Sequence, residues 1–209
     1  MILLRVFIPF APGYFLSYLL RLVNEVIAPN LVQDLSLSTV DLGLLTSVNF
    51  LAFAAFQLPL GILLDRFGPR RTELVLLLFT AGGACIFAVS SDLSGLMLLR
   101  ALIGLGTSAC LIAAFKAYVT WFPKERIPLI NRSQMTAGGF GAMTGTMPIE
   151  MALQLTDWRG LFFVLSGLAV LVSVSFTLSC RSTERSTPSQ EHWPISYPAW
   201  HLIFSSLIF

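Results

Sequence analysis

The sequence predicts an all-α integral membrane protein, and three observations lead to this fold class. The 209 residues are 56% hydrophobic and only 11% charged, whereas a soluble domain carries about 25% charged residues. Six apolar segments each have the roughly 20 residues that a helix needs to cross a bilayer. Short polar loops separate them. The six predicted spans are 6–28, 42–64, 72–90, 95–121, 134–155 and 160–179.

The breaks between the spans consist of polar and turn-forming residues that suit a membrane surface. Serines and acids separate the first two spans, and Ser90, Ser91 and Asp92 separate the third from the fourth. Pro123 and three charged residues follow the fourth span, and 156–159 follow the fifth. Trp121 and Trp158 fall at two of these borders, where aromatic side chains anchor a helix at the membrane interface.

Basic residues are divided unequally between the two sets of loops, and an excess of Lys and Arg is typical of the cytoplasmic side. One side has Arg159, while Arg100 lies a turn or so inside the fourth span. We therefore expect the N-terminus and both ends of the six-helix unit to be cytoplasmic. The opposite, basic-rich side has Arg5, Arg66, Arg70, Arg71, Lys124, Arg126, Arg132, Arg181 and Arg185.

The composition changes after the sixth span, which predicts three regions. Residues 1–179 form the transmembrane bundle, and the polar stretch 180–198 reads as a flexible cytoplasmic linker. Residues 199–209 are apolar again and make about half of a span. We expect them to begin a seventh helix that stops short.

The loop between the second and third spans carries an acid, three arginines and two glycines. Its spacing, G-x-x-x-D-R-x-G-x-R-R, closely resembles the signature between helices 2 and 3 of the major facilitator superfamily of secondary transporters. The resemblance implies a gating role for this loop. The alternative is that its arginines only fix topology. The positions concerned are Gly61, Asp65, Arg66, Gly68, Arg70 and Arg71.

Other stretches resemble the same superfamily. Tyr18-x-x-Arg21-x-x-Asn24 resembles the first helix of a branch that moves organic anions, including sugar phosphates and carboxylates. Arg100-x-x-x-Gly104-x-Gly106 resembles its fourth-helix motif, and Trp158-Arg159-x-x-Phe162 resembles the start of its sixth helix. The resemblance implies the N-terminal half of a twelve-helix transporter, built as two inverted three-helix repeats. It also implies a bacterial inner-membrane location and a substrate site shared with a second six-helix half.

Three polar side chains within the first span are candidates for the transport chemistry. An arginine inside a span has a high free-energy cost unless it faces a water-filled cavity or a charged partner. We therefore expect Arg21 to bind an anionic group of the substrate. Asn24 would orient that substrate. Glu25 is a proton-coupling candidate because intramembrane carboxylates commonly relay protons. The alternative is an Arg21–Glu25 ion pair that binds nothing.

Arg100 is a second candidate for coupling or gating, and the alternative is an arginine that snorkels to the interface. No enzymatic constellation, metal-ligand spacing or cofactor motif is visible, and the net charge of +2 gives no reason to expect a nucleic-acid partner. The partners expected are the lipid bilayer, a small-molecule substrate and a coupled proton. The sequence does not identify the substrate, the coupling ion or the direction of transport.

Three functions fit these observations. The first is secondary active transport of a small anionic metabolite, by symport or uniport rather than drug antiport, because the glycine run 138–145 lacks the proline of the antiporter motif. The second is a six-helix membrane protein that does not transport, either a truncated remnant or an accessory subunit. The third is a homodimer of half-transporters.

Overall fold

The computed structural model describes residues 2–183, with side chains for 6–177, and every regular element in this range is helical. A short 3₁₀ turn, Lys124–Arg126, precedes α6. The helices are α1 (Ile2–Leu35), α2 (Thr39–Phe67), α3 (Pro69–Val89), α4 (Leu93–Thr107), α5 (Cys110–Trp121), α6 (Ile127–Thr144), α7 (Met147–Leu153) and α8 (Trp158–Thr183).

Five helical segments of the described range are long and apolar enough to cross a membrane. The predicted span 134–155 is not among them, and α6 and α7 divide it at Gly145 and Thr146. Within the described residues the all-α fold is confirmed, with five segments that could cross a membrane, whereas a sixth crossing stays a prediction. The five segments are Val6–Leu35, Thr39–Phe67, Pro69–Val89, Leu93–Trp121 and Trp158–Thr177.

Local chemistry explains where two of the spans begin. Ser38 caps α2 by a reciprocal pair of hydrogen bonds: its hydroxyl accepts from the backbone N–H of Asp41 at 3.2 Å, and the Asp41 carboxylate accepts from the Ser38 N–H at 2.8 Å. Asp92 caps α4, where it accepts hydrogen bonds from the Ser94 hydroxyl and the Gly95 N–H. These bonds lower the pKa of Asp92 below its usual range.

The connection between α2 and α3 is a single glycine. Gly68 has φ of +80° and ψ of 161°, a backbone conformation that is reached readily only without a Cβ. Pro69 follows at the first position of α3, where the fixed φ of proline favours helix entry. The two helices are therefore joined by a connection of one residue.

The bundle is organised around α3 and α1. Helix α3 packs between α8 and α4, α1 packs on α6, α8 and α5, and α2 lies mainly on α4. Gly104 and Gly106 make the close approach of α4 possible, because a methyl group on Gly104 would collide with the carbonyl oxygen of Asn49 and one on Gly106 would collide with Thr80.

The glycine run of α6 packs closely against α1. Gly141 abuts the backbone of Phe15, and Gly138 abuts the ring of Tyr14. A buried polar bridge accompanies this contact: Gln134 donates a hydrogen bond to the carbonyl of Phe10 at 3.1 Å and accepts one from the hydroxyl of Tyr118 at 2.7 Å.

The end of the bundle opposite the α2–α3 loop is tied together by the start of α8. Trp158 donates its indole N–H to the Asp34 carboxylate at 2.7 Å. Arg159 donates to the carbonyls of Ala88 at 2.8 Å and Ser90 at 3.2 Å, which satisfies the end of α3. Helix α8 continues to Thr183, and the rest of the predicted linker and the expected seventh helix lie outside the described residues.

Candidate functional site

Arg21 lies in a cavity of about 110 Å³ that is bounded by α1, α2 and the α4–α5 junction. Its guanidinium carbon sits 4.3 Å from the ring centre of Phe53 and 5.4 Å from that of Tyr18. Stacking on ring faces leaves the N–H donors at the edge of the guanidinium plane open to other acceptors. The hydroxyl-bearing residues that line the same cavity are Tyr14, Ser17, Tyr18, Thr107 and Ser108.

Glu25 does not neutralise Arg21. Within the described side chains the two residues form no ion pair, although they are four apart on one helix. The Glu25 carboxylate is exposed in a large open cleft of about 1050 Å³ between α1 and α2. The alternative of an Arg21–Glu25 ion pair is therefore not seen in this structure. The positive charge of Arg21 faces hydroxyls and aromatic rings instead.

Asn24 borders the same α1–α2 cleft as Glu25 rather than the Arg21 cavity. Its amide group donates a hydrogen bond to the hydroxyl of Thr46 at 2.8 Å, and its carbonyl oxygen is buried with no hydrogen-bond partner. Asn24 thus lies one helical turn from Arg21 and faces the α1–α2 cleft, where its carbonyl oxygen is free to accept a hydrogen bond.

Arg100 lies elsewhere, and it does not snorkel. Only 1% of this residue is exposed, and its guanidinium carbon is 4.6 Å from the ring centre of Phe87 and 5.3 Å from that of Phe162. Nε and Nη2 have no hydrogen-bond partner. Arg100 therefore joins α4 to α3 and α8, and the structure does not bring it to the Arg21 cavity or to Glu25.

The carboxylate of Asp65, in the signature loop, pairs with the ammonium group of Lys116 on α5. The pair is largely exposed, with 81% of the Asp65 side chain and 33% of the Lys116 side chain accessible. Sequence analysis did not connect these two residues, which are 51 positions apart. The contact ties the end of α2 to the end of the α4–α5 segment.

The other charged residues of the loop lie against aromatic and apolar groups. The guanidinium of Arg70 stacks over Trp121 at 5.5 Å and that of Arg66 over Phe67 at 5.4 Å. Arg71 borders an apolar groove that also contains Phe79. Gly61 makes no close helix contact within the described residues, because this position faces out of the bundle.

Sequence analysis missed Glu73, which is fully buried on α3. Neither carboxylate oxygen has a hydrogen-bond partner. The available signal was an acid inside the predicted span 72–90. Its position two residues after Arg71 made it look like part of the charged loop.

The sequence profile of the Major Facilitator Superfamily matches residues 10–209. The chain belongs to this superfamily. Membership of this superfamily agrees with the five helical segments of the described range that are long and apolar enough to cross a membrane, as in a multi-pass membrane protein. The match includes the Arg21 cavity, the α1–α2 cleft and the signature loop.

Several bacterial transporters of the superfamily are similar to this chain. The uncharacterized transporter YybO of Bacillus subtilis is 29% identical over 81% of the chain and 39% of its own length. The probable sulfoacetate transporter SauU of Cupriavidus necator is 29% identical over 79% and 37%. The hexuronate transporter of Escherichia coli is 24% identical over 79% and 38%. The chain spans less than half the length of these relatives.

Proposed function

We propose that this chain is one six-helix half of a secondary transporter that moves a small anionic metabolite by alternating access. The observation that carries the proposal is the Arg21 guanidinium, which has no paired acid within the described residues and lies in a cavity lined by hydroxyls. Such a group gives a carboxylate, sulfonate or phosphate a bidentate, charge-assisted partner. Sulfoacetate and hexuronate, named for two relatives, both carry an acid group of this kind.

Asn24 and Glu25 extend this site along α1 toward the open cleft. The unpartnered carbonyl of Asn24 can accept a hydrogen bond from a substrate hydroxyl. Glu25 is exposed in the cleft, where it can exchange a proton with water in the cavity. We assign Glu25 to proton coupling in symport. Arg100, stacked between α3 and α8, would transmit movement of α4 rather than touch the substrate.

A second six-helix half would complete the site. In the apolar 18-residue stretch of α2, only 11% of the residues are buried. Most of this helix therefore presents apolar side chains that need lipid or protein cover. The relatives are more than twice as long as the aligned region. Alternating access would then rock the two halves about a site near the membrane midplane.

The signature loop would serve as the gate at the cytoplasmic side of the bacterial inner membrane. The contact between Asp65 and Lys116 holds α2 against α5 in this arrangement. A surface ion pair of this kind is weak enough to break in each transport cycle. The topology proposed with it has a cytoplasmic N-terminus and two inverted three-helix repeats.

The proposal is tested by binding of radiolabelled hexuronate and sulfoacetate to the purified chain in lipid nanodiscs. We expect saturable binding that falls about 10- to 100-fold in Arg21→Gln, because a hydrogen-bonded charge contributes about 1.5–3 kcal/mol. Arg132→Gln, which removes an exposed arginine of α6, is the matched control and should bind normally. Glu25→Gln should bind but lose the pH dependence of binding. Equal affinities for wild type and Arg21→Gln would refute the assignment.

A further inference from the structure

Glu73 is a buried acid that the proposed mechanism does not use. It lies on α3 with 0% of its surface exposed, and both carboxylate oxygens lack hydrogen-bond partners. Its neighbours come from two helices that pack on α3. Gly13 of α1 covers the carboxyl group so closely that a methyl group there would lie 2.6 Å from Oε1.

No cation balances this carboxyl group within the described residues. The titratable groups that face it are Cys110, whose thiol lies beside the carboxyl group without meeting hydrogen-bond geometry, and Tyr118. Both belong to α5, and Tyr118 donates its hydroxyl hydrogen to Gln134 instead. Arg21 acts electrostatically on Cys110 but forms no ion pair with Glu73.

These surroundings decide the chemical state of the group. A carboxylate that is dry, unpaired and without hydrogen bonds is strongly disfavoured, and a buried acid in such a site takes up a proton instead. A metal ion does not fit, because hard cations need six or more oxygen ligands and no cluster of three potential ligands exists among the described residues.

We propose that Glu73 is a proton-binding site on α3, which holds its proton while Gly13 of α1 and Cys110 of α5 are packed against it. Release requires α1 or α5 to move away so that water reaches the carboxyl group. The site would supply a second proton position beside Glu25 if the proposed transport function holds. The protonation itself does not depend on that function.

Infrared difference spectroscopy of the 209-residue chain in liposomes tests the protonation without any substrate. The wild-type spectrum minus that of Glu73→Gln should contain the C=O stretch of a neutral carboxylic acid at neutral pH. Glu125→Gln removes an exposed acid and should instead give the paired bands of an ionised carboxylate. Carboxylate bands in the Glu73 difference spectrum would overturn the proposal.

A second measurement tests the covering role of Gly13. Transfer to D₂O shifts the C=O band of an acid when its proton exchanges, so the rate of the shift reports access of water. We expect Gly13→Ala to speed this exchange several-fold, because the added methyl group pushes α1 away from the carboxyl group. Gly167→Ala, where no neighbour lies within 4 Å, is the matched control. An unchanged rate in Gly13→Ala would contradict the covering role.

Discussion

Arg21, Arg100 and Glu73 are ionisable side chains within the apolar helices, and each is accommodated differently. Arg21 borders a small polar cavity, Arg100 is stacked between aromatic rings, and Glu73 is enclosed without a partner. Charges inside lipid-spanning helices are functional candidates by default because their burial is costly. These surroundings support the proposed substrate role of Arg21, the proposed transmission of movement by Arg100 and the proposed proton binding by Glu73.

Residue-level reasoning from the sequence singled out charged side chains that lie inside an apolar run. Arg21 and Glu25 were visible for that reason. Glu73 was not, because it follows a charged loop and only the packing of α1 shows that it is buried. The pairing of Asp65 with Lys116 also depends on tertiary structure, since nothing in their sequence spacing brings the two together.

The Asp65–Lys116 pair gives a residue-scale prediction about gating. We expect Asp65→Asn and Lys116→Gln to change the free energy of unfolding by at most about 1 kcal/mol, because exposed ion pairs contribute little. Both variants should nevertheless impair uptake by the complete transporter, and the charge-swapped double variant should recover part of it. Uptake in liposomes and thermal melting are measured side by side.

Normal uptake in both single variants would show that the pair has no part in gating. Strong destabilisation of either variant would show instead that the contact is structural.

At the scale of helices, apolar run length predicted most of the elements. Five of the six predicted spans overlap helical segments that could cross a membrane, although α1 continues to Leu35 and α3 begins at Pro69. The breaks between α4 and α5 and between α6 and α7 were not predicted. They interrupt runs whose composition stays apolar, so hydropathy carries no signal for them.

Close packing of α4 gives the element-scale prediction. Gly104→Ala should destabilise the bundle by about 1–3 kcal/mol, because the added methyl group meets the backbone of Asn49 on α2. Gly167→Ala adds the same methyl group on α8, where no neighbour lies within 4 Å. That control should be neutral or stabilising by up to about 1 kcal/mol, since alanine favours helix.

Denaturant or thermal unfolding in detergent measures both variants. Equal stability of Gly104→Ala and Gly167→Ala would mean that α2 and α4 are not packed as described.

At the scale of the whole molecule, the described helices form one bundle with an incompletely covered face. Helix α2 is the clearest case. Its apolar 18-residue stretch has a mean hydropathy of 1.8, yet only 11% of that stretch is buried. From the sequence, the expectation that a second half completes the site rests on resemblance and on length. The sequence could not predict the substrate, because a site at the interface between two halves takes part of its contacts from the other half.

The central claim is that this bundle recognises the negative charge of a small metabolite through Arg21. Competition binding to the purified chain tests it most directly, with labelled glucuronate as the probe and unlabelled glucuronate or glucose as competitors. The account predicts that glucuronate displaces the probe and that glucose, which has the same ring without the acid group, does not. Displacement by glucose at the same concentrations, or no saturable binding of glucuronate or sulfoacetate, would contradict the claim.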